Sequence, residues 1–339
     1  MRAAVLRAPK TITIEERPEP VPGDDEVIVK VVSVGVCGSD VHYYEDGRIG
    51  SFIVEAPLIL GHEAAGEVVA LGKSARRHAV GDRVSIEPGV PDRSCEWCLA
   101  GKYNLCPNMR FYATPPMDGA FVEYVAIHET FAHAVPTSLS YDAAALLEPL
   151  SVALWACQKG AVTAGSRVLV NGAGPIGLLC AQAAVAFGAT QVTVADINPH
   201  RLQTAATVGA TATVDAREGR LEDQGVRAEV LLECAGVPKA TADALYALQP
   251  GGRAVLVGSG PAHVPLPLSR VQSYELEISG LFRYANTWPT AIDLVASGRI
   301  DLDGMVTGRY PLEETGAALT AGLRDPASIK PIVTPHAHA

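Results

Sequence analysis

Over the first third of the chain, short β-branched runs are punctuated by glycine and proline. The runs EVIVKVVSVGVCGSD (26–40), GEVVALG (66–72), GDRVSIEPGV (81–90) and GAFVEYVAI (119–127) predict strands joined by turns, and so a mainly antiparallel, barrel-like domain. The texture changes near Leu146. EPLSVALWACQKGAVTAG (148–165) is alanine-rich, with Pro149 near its start and Gly160 and Gly165 near its end, and predicts a helix. Beyond it, strand-like runs (SRVLVNGAG, QVTVAD, EVLLECAG, RAVLVGSG, LEISG) alternate with helix-like ones (GPIGLLCAQAAVAFGA, INPHRLQTAATVGA, KATADALYALQPGG). That alternation predicts an α/β domain with a doubly wound parallel sheet. After Gly280 comes FRYANTWPTAIDLVASGRI, and SIKPIVTP (328–335) forms a final strand that returns the chain to the first domain. The closing PHAHA is expected to be a disordered tail, with His336 and His338 solvated.

The length of 339 residues fits two domains, and the formal net charge is −10 with no run of lysine or arginine. Nucleic acid and anionic membranes are therefore poor partners. The start, MRAAVLRAPKTITIEERPEP, lacks the features of a secretory signal, and no apolar run reaches membrane-span length. Seven cysteines, an odd number, then favour a reducing, cytoplasmic setting with thiol or metal chemistry over a disulfide framework. Cys157, Cys180 and Cys234 lie in apolar surroundings and read as small buried hydrophobes.

Gly172, Gly174 and Gly177 form G-x-G-x-x-G between a predicted strand and a predicted helix. The first glycine permits the tight turn, the second lets a pyrophosphate approach the backbone, and the third lets helix pack on strand. The helix N-terminus offers free N–H groups to the phosphates. Asp196 ends the next strand, where an acid bonds the ribose hydroxyls and repels a 2′-phosphate, which favours NAD over NADP. Arg201 nearby is the type of residue that accepts that phosphate.

GVCGSDVHYYEDGRIG places Cys37, Ser39, Asp40 and His42 on one turn, and LGHEAAGEV supplies His62 and Glu63. Thiolate, imidazole and carboxylate are ligand types that suit zinc. A core cysteine and a surface His–Glu pair are the plainer alternative. DRSCEWCLAGKYNLC (92–106) carries cysteines at C-x2-C-x7-C with an aspartate three residues ahead. A redox dithiol, a metal site with an oxygen ligand and the remnant of a metal site are all compatible with that spacing.

The stretches VGVCGSDVHYYEDGRIGSFIV, PLILGHEAAGEV, GDRVSIEPGVP, KYNLCPNMRFYATPPMDGAF, ALLEPLSVALWAC, VLVNGAGPIGL and FRYANTWP run through nearly the whole chain. Together they resemble the zinc-dependent medium-chain dehydrogenases, and within them the sorbitol (polyol, xylitol and arabitol) dehydrogenase group. The resemblance implies a GroES-like catalytic domain at 1–150 with a zinc lobe at about 88–110, a Rossmann NAD-binding domain at 151–281, and a return to the catalytic domain at 282–339. It implies a catalytic zinc on Cys37, His62 and Glu63, with Glu148 close by and Ser39 and His42 as a proton relay. Tyr43, Phe111, Thr114, Arg283 and Tyr284 match positions that line the polyol pocket. Gly172, Gly174, Pro175, Ile176 and Gly177, with Asp196 and Arg201, match the NAD site. The lobe of the family often holds a structural zinc on four cysteines. Here Cys95, Cys98 and Cys106 occupy three of the places and Asp92 falls where the first cysteine belongs.

The expected reaction is oxidation of a small-molecule sugar alcohol to the ketose, with hydride transfer to NAD, and the resemblance implies a homotetramer. Rival expectations are a threonine or secondary-alcohol dehydrogenase of the same superfamily and a nonenzymatic nucleotide- or metal-binding relative. YATPP and FRYANTWP disfavour the first rival, and the full set of ligand types disfavours the second.

Overall fold

A computed structural model describes residues 1–336. Its contacts divide the chain into two compact units, one of Met1–Glu148, Trp288–Ala296 and the chain from Leu302 onward, the other of Pro149–Thr287 and Ser297–Asp301.

The first unit is built on a seven-stranded sheet in the order Ala132–Ala134, Arg83–Ile86, Glu63–Leu71, Glu26–Gly35, Lys330–Thr334, Val306–Pro311, with Tyr124–His128 also pairing to Glu26–Gly35. Strand Glu26–Gly35 has antiparallel partners in Glu63–Leu71, Tyr124–His128 and Lys330–Thr334. Its valines at 27, 29, 31 and 34 are all fully buried, so it reads as a near-continuous apolar run. Each such side chain contributes about 1.5–3 kcal/mol by leaving water. A second sheet joins Thr11–Glu16, Arg2–Ala8 and Leu58–Ile59. The final strand pairs Ile332 with Gly35, returning the chain to this sheet.

The second unit holds six parallel strands in the order Ala212–Asp215, Gln191–Asp196, Arg167–Asn171, Ala228–Glu233, Leu248–Leu256, Glu277–Gly280. Counted along the chain this is 3-2-1-4-5-6, the doubly wound order that opens a crevice between the first and fourth strands.

Three local expectations change. The strand predicted through Asp40 ends at Gly35, and Gly38–Asp46 is a helix with Cys37 as its N-cap. Asp40 accepts the Cys37 N–H at 3.0 Å, closing a capping box that local sequence alone encodes. Ala212–Asp215 escapes the hydrophobic pattern because it is a short edge strand with no buried side chain. The tail is docked as far as His336, which hydrogen-bonds the Glu123 carbonyl at 3.0 Å and sets its ring edge-on to Tyr124. His338 lies outside the described residues. No helix among the described residues is long and apolar enough to cross a membrane.

Candidate active site and metal centres

Cys37, His62 and Glu63 come together where two stretches of the first unit meet, and their ligand atoms all lie within 4.8 Å of one another. Strand pairing sets this up. Gly35 faces Glu63 across the ladder, and Cys37 follows at the start of the helix. Gly35 is needed for close approach, since a Cβ there would sit 2.0 Å from Glu63 Oε2. Glu63 is fully buried and His62 nearly so.

The electrostatics suit a cation. Burial works against charge on His62, but Asp40 and Cys37 outweigh it and hold the imidazole's pKa well above its ordinary value. Asp40 itself is fully buried; His62 and the N–H groups of Cys37 and Gly61 overcome that burial and keep its carboxyl below the usual range. Asp40 Oδ1 lies 3.7 Å from His62 Nδ1, the position of a carboxylate that orients a ligating histidine. Glu63 Oε2 is buried with no hydrogen-bond partner, although buried carboxylate oxygens are ordinarily paired. Thiolate, imidazole and carboxylate converging with one orphaned oxygen is a donor set that fits zinc.

The surrounding residues are placed as follows. Glu148 is buried near the start of helix Leu147–Lys159. Ser39 and His42 stand three residues apart on helix Gly38–Asp46, with the His42 ring half-exposed and its Nδ1 3.6 Å from Asp46 Oδ2. Tyr43 is buried on the same helix. The Phe111 ring lies 5.7 Å from the His62 ring, and Thr114 follows it, its N–H bonded to the Phe111 carbonyl. Arg283 and Tyr284 belong to the second unit; the Arg283 guanidinium lies over the Phe282 ring, and Tyr284 is buried.

Sequence reasoning missed Lys330. Its Nζ, buried, donates to Glu63 Oε1 at 2.5 Å and to the Val36 carbonyl at 2.9 Å. Burial draws this ammonium's pKa down, but Glu63, Cys37 and Glu148 more than offset it and the net shift is upward. The signal available was a lysine opening an otherwise apolar strand in SIKPIVTP.

In the second unit, Gly172 turns at φ +99° after strand Arg167–Asn171, and its N–H bonds the Ala195 carbonyl. Gly174 is the N-cap of helix Pro175–Ala186 and has no side-chain cap, so first-turn N–H groups remain for an anion. A Cβ on Gly177 would lie 1.8 Å from the Gly172 carbonyl oxygen. Ile176 lies in the helix's first turn. Asp196 Oδ2 accepts from Ala173 N at 2.6 Å and Oδ1 from Asn198 N at 2.7 Å, fixing the carboxylate against the glycine loop. Arg201 Nη1 is 4.0 Å from where a Gly174 Cβ would stand. This cradle, open at Gly174 and closed at Gly177, fits the pyrophosphate of a dinucleotide.

A second cluster gathers Asp92, Cys95, Cys98 and Cys106, with ligand atoms again within 4.8 Å. Cys95 Sγ and Cys98 Sγ are 3.4 Å apart, and Asp92 Oδ1 accepts from Cys98 Sγ at 3.4 Å. Asn108, with the N–H groups of Cys95 and Ser94, holds the Asp92 carboxyl below its ordinary range. Burial, then the neighbouring Cys95, pushes the Cys98 thiol up to about 12. Three sulfurs and a carboxylate oxygen gathered at one point suit a four-ligand metal clip better than a free dithiol, which needs only two sulfurs. None of the seven cysteines forms a disulfide; Cys157 and Cys180 are buried, and Cys234 Sγ lies 3.8 Å from Cys180 Sγ.

Comparison with known proteins agrees with this geometry. The alcohol dehydrogenase GroES-like domain family matches residues 23–137, and the zinc-binding dehydrogenase family matches residues 175–297. Sorbitol dehydrogenase of Bacillus subtilis (strain 168) is 45% identical over 333 residues, 96% of this chain and 94% of that protein. Sorbitol dehydrogenase of Gallus gallus is 44% identical, covering 92% and 90%. A solved structure of an Escherichia coli oxidoreductase of unknown specificity superposes with a TM-score of 0.93 at 35% identity, covering 98% of each chain. The chain therefore belongs to the zinc-dependent medium-chain dehydrogenases, in the sorbitol dehydrogenase group, enzymes that oxidise a polyol with zinc and NAD.

Proposed function

We propose that this chain oxidises a secondary hydroxyl of a sugar alcohol to the ketose, with Cys37, His62 and Glu63 holding the catalytic zinc. The observation that carries this assignment is the convergence of those three ligand atoms beside the orphaned Glu63 oxygen. When bound, zinc supplies Lewis acidity, which lowers the pKa of a coordinated hydroxyl, and NAD supplies the hydride acceptor. The protein's own residues do the rest. Ser39 Oγ accepts the substrate's hydroxyl proton and donates its own onward, and the His42 imidazole carries it to solvent, steadied by Asp46. Tyr43, Phe111, Thr114, Arg283 and Tyr284 are assigned to substrate binding, and Glu148 to the vicinity of the metal. Gly172, Gly174, Pro175, Ile176 and Gly177 bind the pyrophosphate, Asp196 binds the adenosine ribose and favours NAD over NADP, and Arg201 completes the cofactor site.

The expected result is NADH formation with one or more of sorbitol, xylitol, arabitol and galactitol. Assay of these beside ethanol-like alcohols and threonine checks it. Turnover confined to the simple alcohols or threonine sinks the polyol reading.

Asp92, Cys95, Cys98 and Cys106 are assigned to a structural zinc, and the assembly to a homotetramer in the cytoplasm. Native mass spectrometry reads both metal content and assembly at once. The wild type should carry two zinc ions per subunit in a four-subunit species, and Asp92→Ala one zinc ion with a lower melting temperature. A wild type with one zinc refutes the filled lobe, and a smaller species refutes the tetramer.

A further inference from the structure

Lysine is almost never fully buried unless paired, yet Lys330 is 2% exposed and Glu63, its partner, is 0% exposed. The pair is built by the sheet. Gly35 faces Glu63 on one side and Ile332 on the other, so the register that delivers Glu63 to the metal cluster delivers Lys330 to Glu63. Lys330 Nζ holds Oε1 at 2.5 Å and is anchored from behind by the Val36 carbonyl, one residue before Cys37. Oε2 keeps no hydrogen bond and lies over Gly35.

Stability does not explain this arrangement, because a buried ion pair is often replaceable by apolar residues without loss. Charge balance does. Cys37 as a thiolate, Glu63 and Glu148 bring more negative charge to the centre than a zinc ion offsets, and excess ligand charge weakens a Lewis acid. Taking Glu63 as a metal ligand, as assigned above, we propose that Lys330 is a positioning residue of the catalytic centre. It occupies one oxygen of Glu63, presents the carboxylate to the metal through the other, and offsets its charge so that the metal stays electrophilic.

Lys330→Met, of similar length and no charge, tests this, together with Lys330→Gln, which can still donate to the Val36 carbonyl. Zinc affinity is read by chelator competition at a pH well above the ordinary carboxylate range, and coordination by the visible absorption of the cobalt-substituted protein. NADH affinity and circular dichroism serve as folding controls. Both variants should hold zinc at least about tenfold more tightly, because a repelling charge is gone and the metal-free protein leaves Glu63 unpaired. Their cobalt spectra should change, and kcat should fall by at least about tenfold while KM for NAD stays put. Zinc affinity equal to or weaker than that of the wild type, or an unchanged cobalt spectrum, in folded variants overturns the proposal. Glu63→Gln separates the two levels. If it binds zinc as the wild type does, the ligand assignment fails; if it binds zinc weakly while the Lys330 variants match the wild type, only the role of Lys330 falls.

Discussion

Replacing Cys37 with serine is expected to strip the catalytic cluster of its zinc and to remove most of the turnover, while NADH affinity stays near that of the wild type. The helix itself should be unharmed. Cys37 is an N-cap in the extended conformation, with its N–H bonded to Asp40, and serine is among the preferred N-cap residues. What changes is the donor: a hydroxyl is a far poorer zinc ligand than a thiolate at neutral pH. Changing a group that merely supports a ligand costs roughly 10–100-fold, so losing the ligand should lower kcat by more than about 100-fold. Metal analysis, polyol oxidation rates and an NADH fluorescence titration check the three parts. Wild-type zinc content and rate in the variant would refute the ligand assignment.

Gly177→Ala should act on the other half of the reaction, abolishing tight cofactor binding while leaving zinc content intact. A Cβ at Gly177 would stand 1.8 Å from the Gly172 carbonyl oxygen and 2.9 Å from its carbonyl carbon. Both atoms are backbone, so no rotamer relieves the clash. The helix has to move off the loop, carrying the Gly174 end and its first-turn N–H groups with it. Overpacking of this kind costs about 1–3 kcal/mol of stability. The displaced anion site should raise the NADH dissociation constant by at least about tenfold, the equivalent of about 1.4 kcal/mol. Thermal unfolding and the NADH titration measure the two effects. An unchanged dissociation constant would show that the close packing of Gly177 does not hold the cofactor loop.

The dinucleotide loop was legible because its logic is local. Three glycines, the strand before them and the helix after them lie within one continuous stretch, and the acid at Asp196 ends the next strand. The cap that joins Cys37 to Asp40 is also local, yet a valine-rich run masked it and drew the predicted strand five residues past its end. Edge strand Ala212–Asp215 left no hydrophobic trace because it buries no side chain.

By itself the sequence determined the two-domain α/β plan, the glycine loop, the donor types of both metal clusters and the family they belong to. The plan, the loop and the donor types follow from periodicity and short spacings, which one strand or one helix enforces, and the family from the resemblance of stretches spread through nearly the whole chain. Only the tertiary structure decided which groups meet across long separations. Lys330 lies 267 residues from Glu63 in the chain, and strand pairing through Gly35 sets them 2.5 Å apart. A lysine's partner in a buried site is chosen by sheet register, and register between distant strands is a property of the folded chain rather than of any local pattern.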